Sequence, residues 1–144
     1  MLESPFTQTI VLHIHSRQET DGEVRETDIT SRARYTEQKG AFVLEYDEPR
    51  EDGSFSTTTL TARPNSLFLA RTGEDGIHIM IEKGHMTASL YNTPVGELTL
   101  LVYPQKVDMR LARNRGNMEL SYVVDYAGER SGNHAISVSW QALK

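Results

Sequence analysis

Apolar residues recur at every second position along most of the chain. Ile10, Leu12 and Ile14 alternate with Val11, His13 and His15; Phe42, Leu44 and Tyr46 alternate with Val43, Glu45 and Asp47; Ile77, Ile79 and Ile81 alternate with His78, Met80 and Glu82. Downstream, Leu98, Leu100 and Val102 share one face, as do Met118, Leu120, Tyr122 and Val124, and then Ile136, Val138 and Trp140. A period of two is that of a strand buried on one side, because successive side chains point to opposite faces of a sheet. The segment SFSTTTLTAR, Ser54 to Arg63, adds β-branched content on a largely polar strand. PQKVDMRLARN fits either a short helix with Val107 and Leu111 stacked or a strand with Val107, Met109 and Leu111 in register. Pro104 and Gly116 leave little room for a helix, which favours the strand.

Turn signals separate these runs at intervals of roughly ten residues, the spacing of an all-β sandwich or barrel. Asp21-Gly22, Lys39-Gly40, Asp52-Gly53, Asp75-Gly76, Lys83-Gly84, Arg115-Gly116, Ala127-Gly128 and Ser131-Gly132 each offer a glycine for a tight connection. EPREDG, Glu48 to Gly53, reads as a hairpin loop. Sequential strands joined this way are antiparallel neighbours, and closing the sheet removes the edges through which such chains aggregate. The expected fold is all-β: one closed or nearly closed antiparallel barrel of about 8–10 short strands, with little helix. The chain of 144 residues reads as one domain, 1–144.

Composition narrows the function classes. Cysteine is absent, which excludes disulfides, thiolate metal ligands and a cysteine nucleophile, and points to a reducing compartment, the cytoplasm. MLESPFTQ carries an acid and a proline where a secretory signal has basic residues, and no apolar run is long enough for a spanning helix, so no membrane association is expected. Twenty acidic against 15 basic residues give a net charge of -5, the wrong sign for a protein held to nucleic acid by phosphate contacts. KVDMRLARNR gathers Lys106, Arg110, Arg113 and Arg115, but without interleaved aromatic residues it reads as a solvated strand face.

At SLYNTPVGELTLLV, a tyrosine, a Thr93-Pro94 corner and Gly96 precede a regular strand. Together with Asp21-Gly22-Glu23, FVLEYDE (Phe42 to Glu48), LFLARTGE (Leu67 to Glu74) and GNMELSYVVDYAGERSGNHAISVSW (Gly116 to Trp140), it makes the chain resemble the YwiB-like family of uncharacterised bacterial proteins over nearly its full length. The resemblance implies a calycin-like, lipocalin-type barrel with ligand-binding relatives, and carries no established activity. The corner itself has a structural explanation: Pro94 cannot donate a ladder hydrogen bond and holds Thr93 extended, while Asn92 and Gly96 suit a turn.

HIHSRQE, His13 to Glu19, has the spacing of the first metal motif of the cupin family, and Pro94-Val95-Gly96 echoes the second. Thr99 stands where the third histidine would be, so His13, His15 and Glu19 alone make a poor site for a tightly held metal. The simpler expectation puts both histidines on the solvated face opposite Ile10, Leu12 and Ile14, with no cofactor implied. No nucleophile elbow, phosphate-binding glycine loop or HExxH element occurs, and the acid pairs Asp47-Glu48, Glu51-Asp52 and Glu74-Asp75 sit in expected loops. Enzymatic activity has no positive signal in the sequence.

The leading expectation is a small-molecule binding barrel for an apolar or amphipathic ligand. Its candidate lining is Tyr35, Phe42, Tyr46, Met86, Tyr91, Tyr122 and Trp140, with Arg71 at the end of LFLAR placed to meet an acidic head. The competing expectations are that these side chains simply fill the core, or that the barrel is an interaction module, such as a homodimer formed through a strand edge or a barrel face.

Overall fold

The computed structural model describes residues 6–72, 76–93, 96–126 and 129–143. Ten strands follow one another: β1 (Phe6–Thr20), β2 (Glu23–Gln38), β3 (Ala41–Pro49), β4 (Phe55–Arg63), β5 (Ser66–Arg71), β6 (Ile77–Glu82), β7 (Thr87–Thr93), β8 (Gly96–Arg110), β9 (Arg115–Tyr126) and β10 (Glu129–Ala142). Each pairs antiparallel with its neighbours in sequence, and β1 closes the barrel on β10 from Ile10 opposite Ala142 to Glu19 opposite Asn133. The all-β closed barrel is as expected, and PQKVDMRLARN is strand as far as Arg110. No helix occurs among the described residues, hence none able to cross a membrane.

Two expectations need correction. The strands are not uniformly short: β1 and β8 have 15 residues, β2 16 and β10 14. Continuous alternation carries a strand through polar stretches such as Glu23 to Arg32, because pairing with β1 satisfies the backbone whatever the side chains. Nor are Gly116 and Gly132 turn residues. Gly116 lies within β9 opposite Trp140, and Gly132 lies beside a bulge in β10, where its φ of 122° and the nearby Glu19 carbonyl leave no room for a side chain. The turns at Gly22, Gly40, Gly53 and Gly84 do occur, with positive φ. The corner at Pro94-Val95, the Glu74-Asp75 pair and the Ala127-Gly128 turn lie outside the described residues.

The inward face is the one the alternation marks. Ile10, Leu12, Tyr35, Leu44, Leu60, Val102 and Met118 are completely buried, and Leu100 and Val138 also face the core. Burying a side chain of this kind contributes roughly 1.5–3 kcal/mol, so this interior is the main source of stability. The outward face carries the charge. Lys106 pairs with Glu119 at 2.9 Å, Arg34 with Glu45 at 2.9 Å, and Arg110 approaches Asp108 at 4.0 Å, so Lys106 and Arg110 lie on a solvated face as expected, whereas Arg113 of the same stretch is drawn over the Phe6 ring.

The wall is thin in two places. β2 and β3 pair only from Gln38 opposite Ala41 to Arg34 opposite Glu45, so β2 below Arg34 and β3 beyond Glu45 part company. A cleft of about 430 Å³ opens there, with Ala33 and Tyr46 among its lining. Between β6 and β7 the backbone ladder is reduced to Ile77 opposite Tyr91. Above it, side-chain hydroxyls take over: the Met80 N–H donates to Ser89 Oγ at 3.4 Å and Thr87 Oγ1 donates to the Met80 carbonyl.

Candidate ligand-binding site

The two ends of the barrel differ. At the end carrying the β2–β3 turn and the last residues of β10, aromatic rings close the interior. Tyr35 stacks on Phe42 with centroids 5.7 Å apart, meets Trp140 at 6.3 Å and meets Phe6 edge-on at 6.3 Å. Arg113 lies over this cluster, its guanidinium 4.0 Å from the Phe6 centroid and donating to both Glu37 carboxylate oxygens at 2.6 and 3.2 Å. Tyr35 Oη donates to the same carboxylate at 3.0 Å. The Arg113 hydrogen bond holds the Glu37 carboxyl below its ordinary pKa, and burial pushes the Tyr35 hydroxyl far above its own. This end is sealed.

At the opposite end the strand registers assemble one transverse row. Tyr46 lies opposite Thr58, Thr58 opposite Arg71, Arg71 opposite Ile77, Ile77 opposite Tyr91, and Tyr91 opposite Leu98. Residues directly opposite in a sheet share a face. Because Tyr46 and Thr58 are buried in the barrel, the whole row points inward. Yet Arg71, Ile77, Tyr91 and Leu98 keep part of their surface in solvent, as do the inward Leu69, Ile79 and Tyr122. An inward side chain in a closed barrel meets water only through an open end or a gap in the wall, so water reaches this row through the end itself or through the β6–β7 seam beside Ile77 and Tyr91.

The polar members of the row converge. Arg71 Nε donates to Thr58 Oγ1 at 3.4 Å, and its Nη2 lies 3.7 Å from Glu48 Oε1. That distance is an ion pair without a hydrogen bond, and Glu48 Oε1 is itself buried with no hydrogen-bond partner. Glu48 follows Tyr46 on the same face and lies opposite the buried Ser56. Burial, with the charge of Glu48 second, pushes the Tyr46 hydroxyl up to about 12, so it remains a donor throughout the physiological range. The result is a mouth with apolar walls and one polar corner, in which a carboxylate oxygen lacks the donor it needs.

The sequence candidates therefore separate. Tyr46, Arg71 and Tyr91 share the row at the open end; Tyr35, Phe42 and Trp140 belong to the sealed end; Met86 lies in the β6–β7 turn, 53% exposed and outside the row. Tyr122 lies deeper, stacked on His134 at 5.1 Å with the rings 6° from parallel. Glu48, which the sequence reading placed in a loop, is the addition. His13 and His15 face outward. The Thr30 hydroxyl meets His13 Nδ1 at 2.9 Å, and His15 Nδ1 meets the Asp28 carboxylate at 2.6 Å, which raises the His15 pKa; Glu19 pairs with Arg17 at 3.4 Å. Among the described residues no three His, Asp or Glu side chains converge to hold a metal.

His134 gives a prediction in pH. Burial lowers its pKa, and its Nε2 is buried without a partner. The unfolded chain then binds the proton more tightly than the fold, so stability falls as pH drops below the ordinary histidine value of about 6.5. His134→Phe keeps the stack on Tyr122 and removes the proton. The melting temperature of the variant is expected to fall less than that of the parent between pH 7.5 and 5.5, and parallel losses would remove His134 as an acid-sensitive group.

A family model described as "Domain of unknown function (DUF1934)" matches residues 12–138. The crystal structure of the ywiB protein from Bacillus subtilis is similar with a TM-score of 0.81 and 20% identity, over 96% of this chain and 94% of that one; at this identity the likeness concerns the fold. A structure of a protein of unknown function from Bacteroides ovatus matches at 9% identity and a TM-score of 0.36, over 95% of this chain and 41% of that one, too distant to bear on the argument. No curated protein matches.

Proposed function

Since the chain belongs to the DUF1934 family of domains of unknown function, with a barrel like that of ywiB, its site must speak for its function, and we propose that it binds an amphipathic small molecule at the open end. The observation that carries this reading is the row at this end, where inward Ile77, Tyr91 and Leu98 are half-buried in line with Arg71, beside a Glu48 oxygen that accepts no hydrogen bond. The apolar part of the ligand lies against Ile77, Ile79, Tyr91 and Leu98. Its head group, an alcohol, amide or carboxylic acid able both to donate and to accept, donates to Glu48 Oε1 and accepts from Arg71. One oxygen of that carboxylate, Glu48 Oε1, is left without a hydrogen bond, and a donor on the head group supplies it.

Native mass spectrometry of the purified protein, followed by titration with anilinonaphthalene sulfonate and displacement by medium-chain alcohols and amides, tests the proposal. Micromolar binding to the native barrel is expected, about tenfold weaker in Arg71→Met, which loses hydrogen bonds to a charged donor worth roughly 1.5 kcal/mol. Ile77→Trp, which fills the mouth, is expected to abolish it. Binding unchanged in Ile77→Trp, or absent from the native parent, would remove the open end as a ligand site.

A further inference from the structure

The outward positions of the barrel are not alike around its circumference. On β1, β2 and β9 they carry His13, His15, Arg17, Asp28, Arg32 and Glu119. On β5 to β8 the same outward parity gives Phe68, Met80, Ala88, Leu90, Leu101 and Tyr103, with the polar His78 and Thr99 among them, and between Glu82 at one end and Glu97 at the other no Asp, Glu, Lys or Arg interrupts them. Leu90 is 52% exposed at the centre of this wall. Four strands spaced ~4.8 Å apart and about six residues long make a face roughly 20 Å square. With side-chain relief that is on the order of the smaller specific interfaces, about 600 Å² per partner.

We propose that this wall is the contact between two copies of the chain, facing each other across a two-fold axis that lies in the plane of the wall and runs across its strands. Charge selects the partner. A charged protein or nucleic acid finds nothing to pair with across the neutral centre, whereas the ends of the wall complement each other under a two-fold. Arg63 and Lys83 outnumber the single acid Glu82 at the end where β4 and β6 finish, and Glu97 stands at the end where β8 begins. The side chains of Arg63, Lys83 and Glu97 form no ion pair among the described residues. Rotating one copy by 180° sets the basic end of each over the acidic end of the other. The contact also spans the β6–β7 seam, where backbone pairing is thinnest.

Sedimentation velocity from 1 to 300 µM tests this. A monomer–dimer equilibrium in the tens of micromolar is expected, shifted at least tenfold toward monomer by Leu90→Arg and by Lys83→Glu, with melting temperatures of the monomers unchanged. Adding Glu97→Lys to Lys83→Glu is expected to restore dimerisation, a result that a merely sticky surface does not produce. A parent that stays monomeric at 300 µM, a dimer indifferent to Leu90→Arg, or a failed rescue overturns the proposal. So does a monomer that floats with phosphatidylcholine vesicles through Leu90, which would give the wall to a lipid surface.

Discussion

Trp140→Ala is expected to cost about 3–5 kcal/mol, the range for emptying a buried aromatic site, and to lower the melting temperature by roughly 10–15 °C. Trp140 is 2% exposed and lies opposite Leu12 on one side and Gly116 on the other, with Tyr35 against its ring. The β1–β10 ladder, which closes the barrel, runs directly through it, so the cavity would open at the join. Against a total stability of about 5–15 kcal/mol for a domain, such a loss leaves a marginal fold. Trp140→Phe is expected to cost far less: the smaller ring keeps most of the contact, and it removes an indole N–H that is buried with no acceptor. Urea unfolding followed by circular dichroism measures both, since this is the chain's only tryptophan and its fluorescence is lost with it. A loss under about 1 kcal/mol for the alanine variant would mean that the sealed end packs without its largest side chain.

Alternation told the inside of each strand from the outside, because the side-chain period of a strand is two whatever its neighbours are. Ile10, Leu12, Leu44, Leu60, Met118 and Val138 are inward for that reason alone, and His13 and His15 outward. The same periodicity cannot say how high along the barrel a residue lies, because that depends on how ten strands are staggered against one another. Tyr35 and Tyr46 look equivalent in the sequence, yet one belongs to the sealed end and the other to the open row.

Glu48 shows a different loss. Its acidic neighbours and the following Pro49 suggested a loop, although it keeps the parity of Phe42, Leu44 and Tyr46, and that parity was the available signal. Met86 failed in the opposite sense. An apolar side chain beside a turn reads as lining, but the Gly84 turn ends the alternation before it and leaves it in solvent. The Arg113–Glu37 closure joins residues 76 apart in the chain, a pairing that no local pattern encodes.

Gly116→Ala is expected to be destabilising, and its cost should depend on Trp140. An alanine β-carbon there would overlap the Trp140 ring, and the ring cannot retreat because Tyr35 and β1 stand behind it. Overpacking of this sort costs typically 1–3 kcal/mol. In an open strand the same substitution would be favourable by roughly 0.5–1 kcal/mol, since glycine loses more backbone entropy on folding than alanine. The sign therefore reports the contact. In the parent the variant should be destabilised; in a Trp140→Ala background, where the space is empty, it should be neutral or stabilising. The difference between the two backgrounds, a coupling of about 1.5 kcal/mol or more, measures how far this glycine exists to admit the indole. Equal costs in both would show that Gly116 answers to the backbone of β9 and not to the ring, and the account of the sealed end as a jigsaw around Trp140 would have to be abandoned.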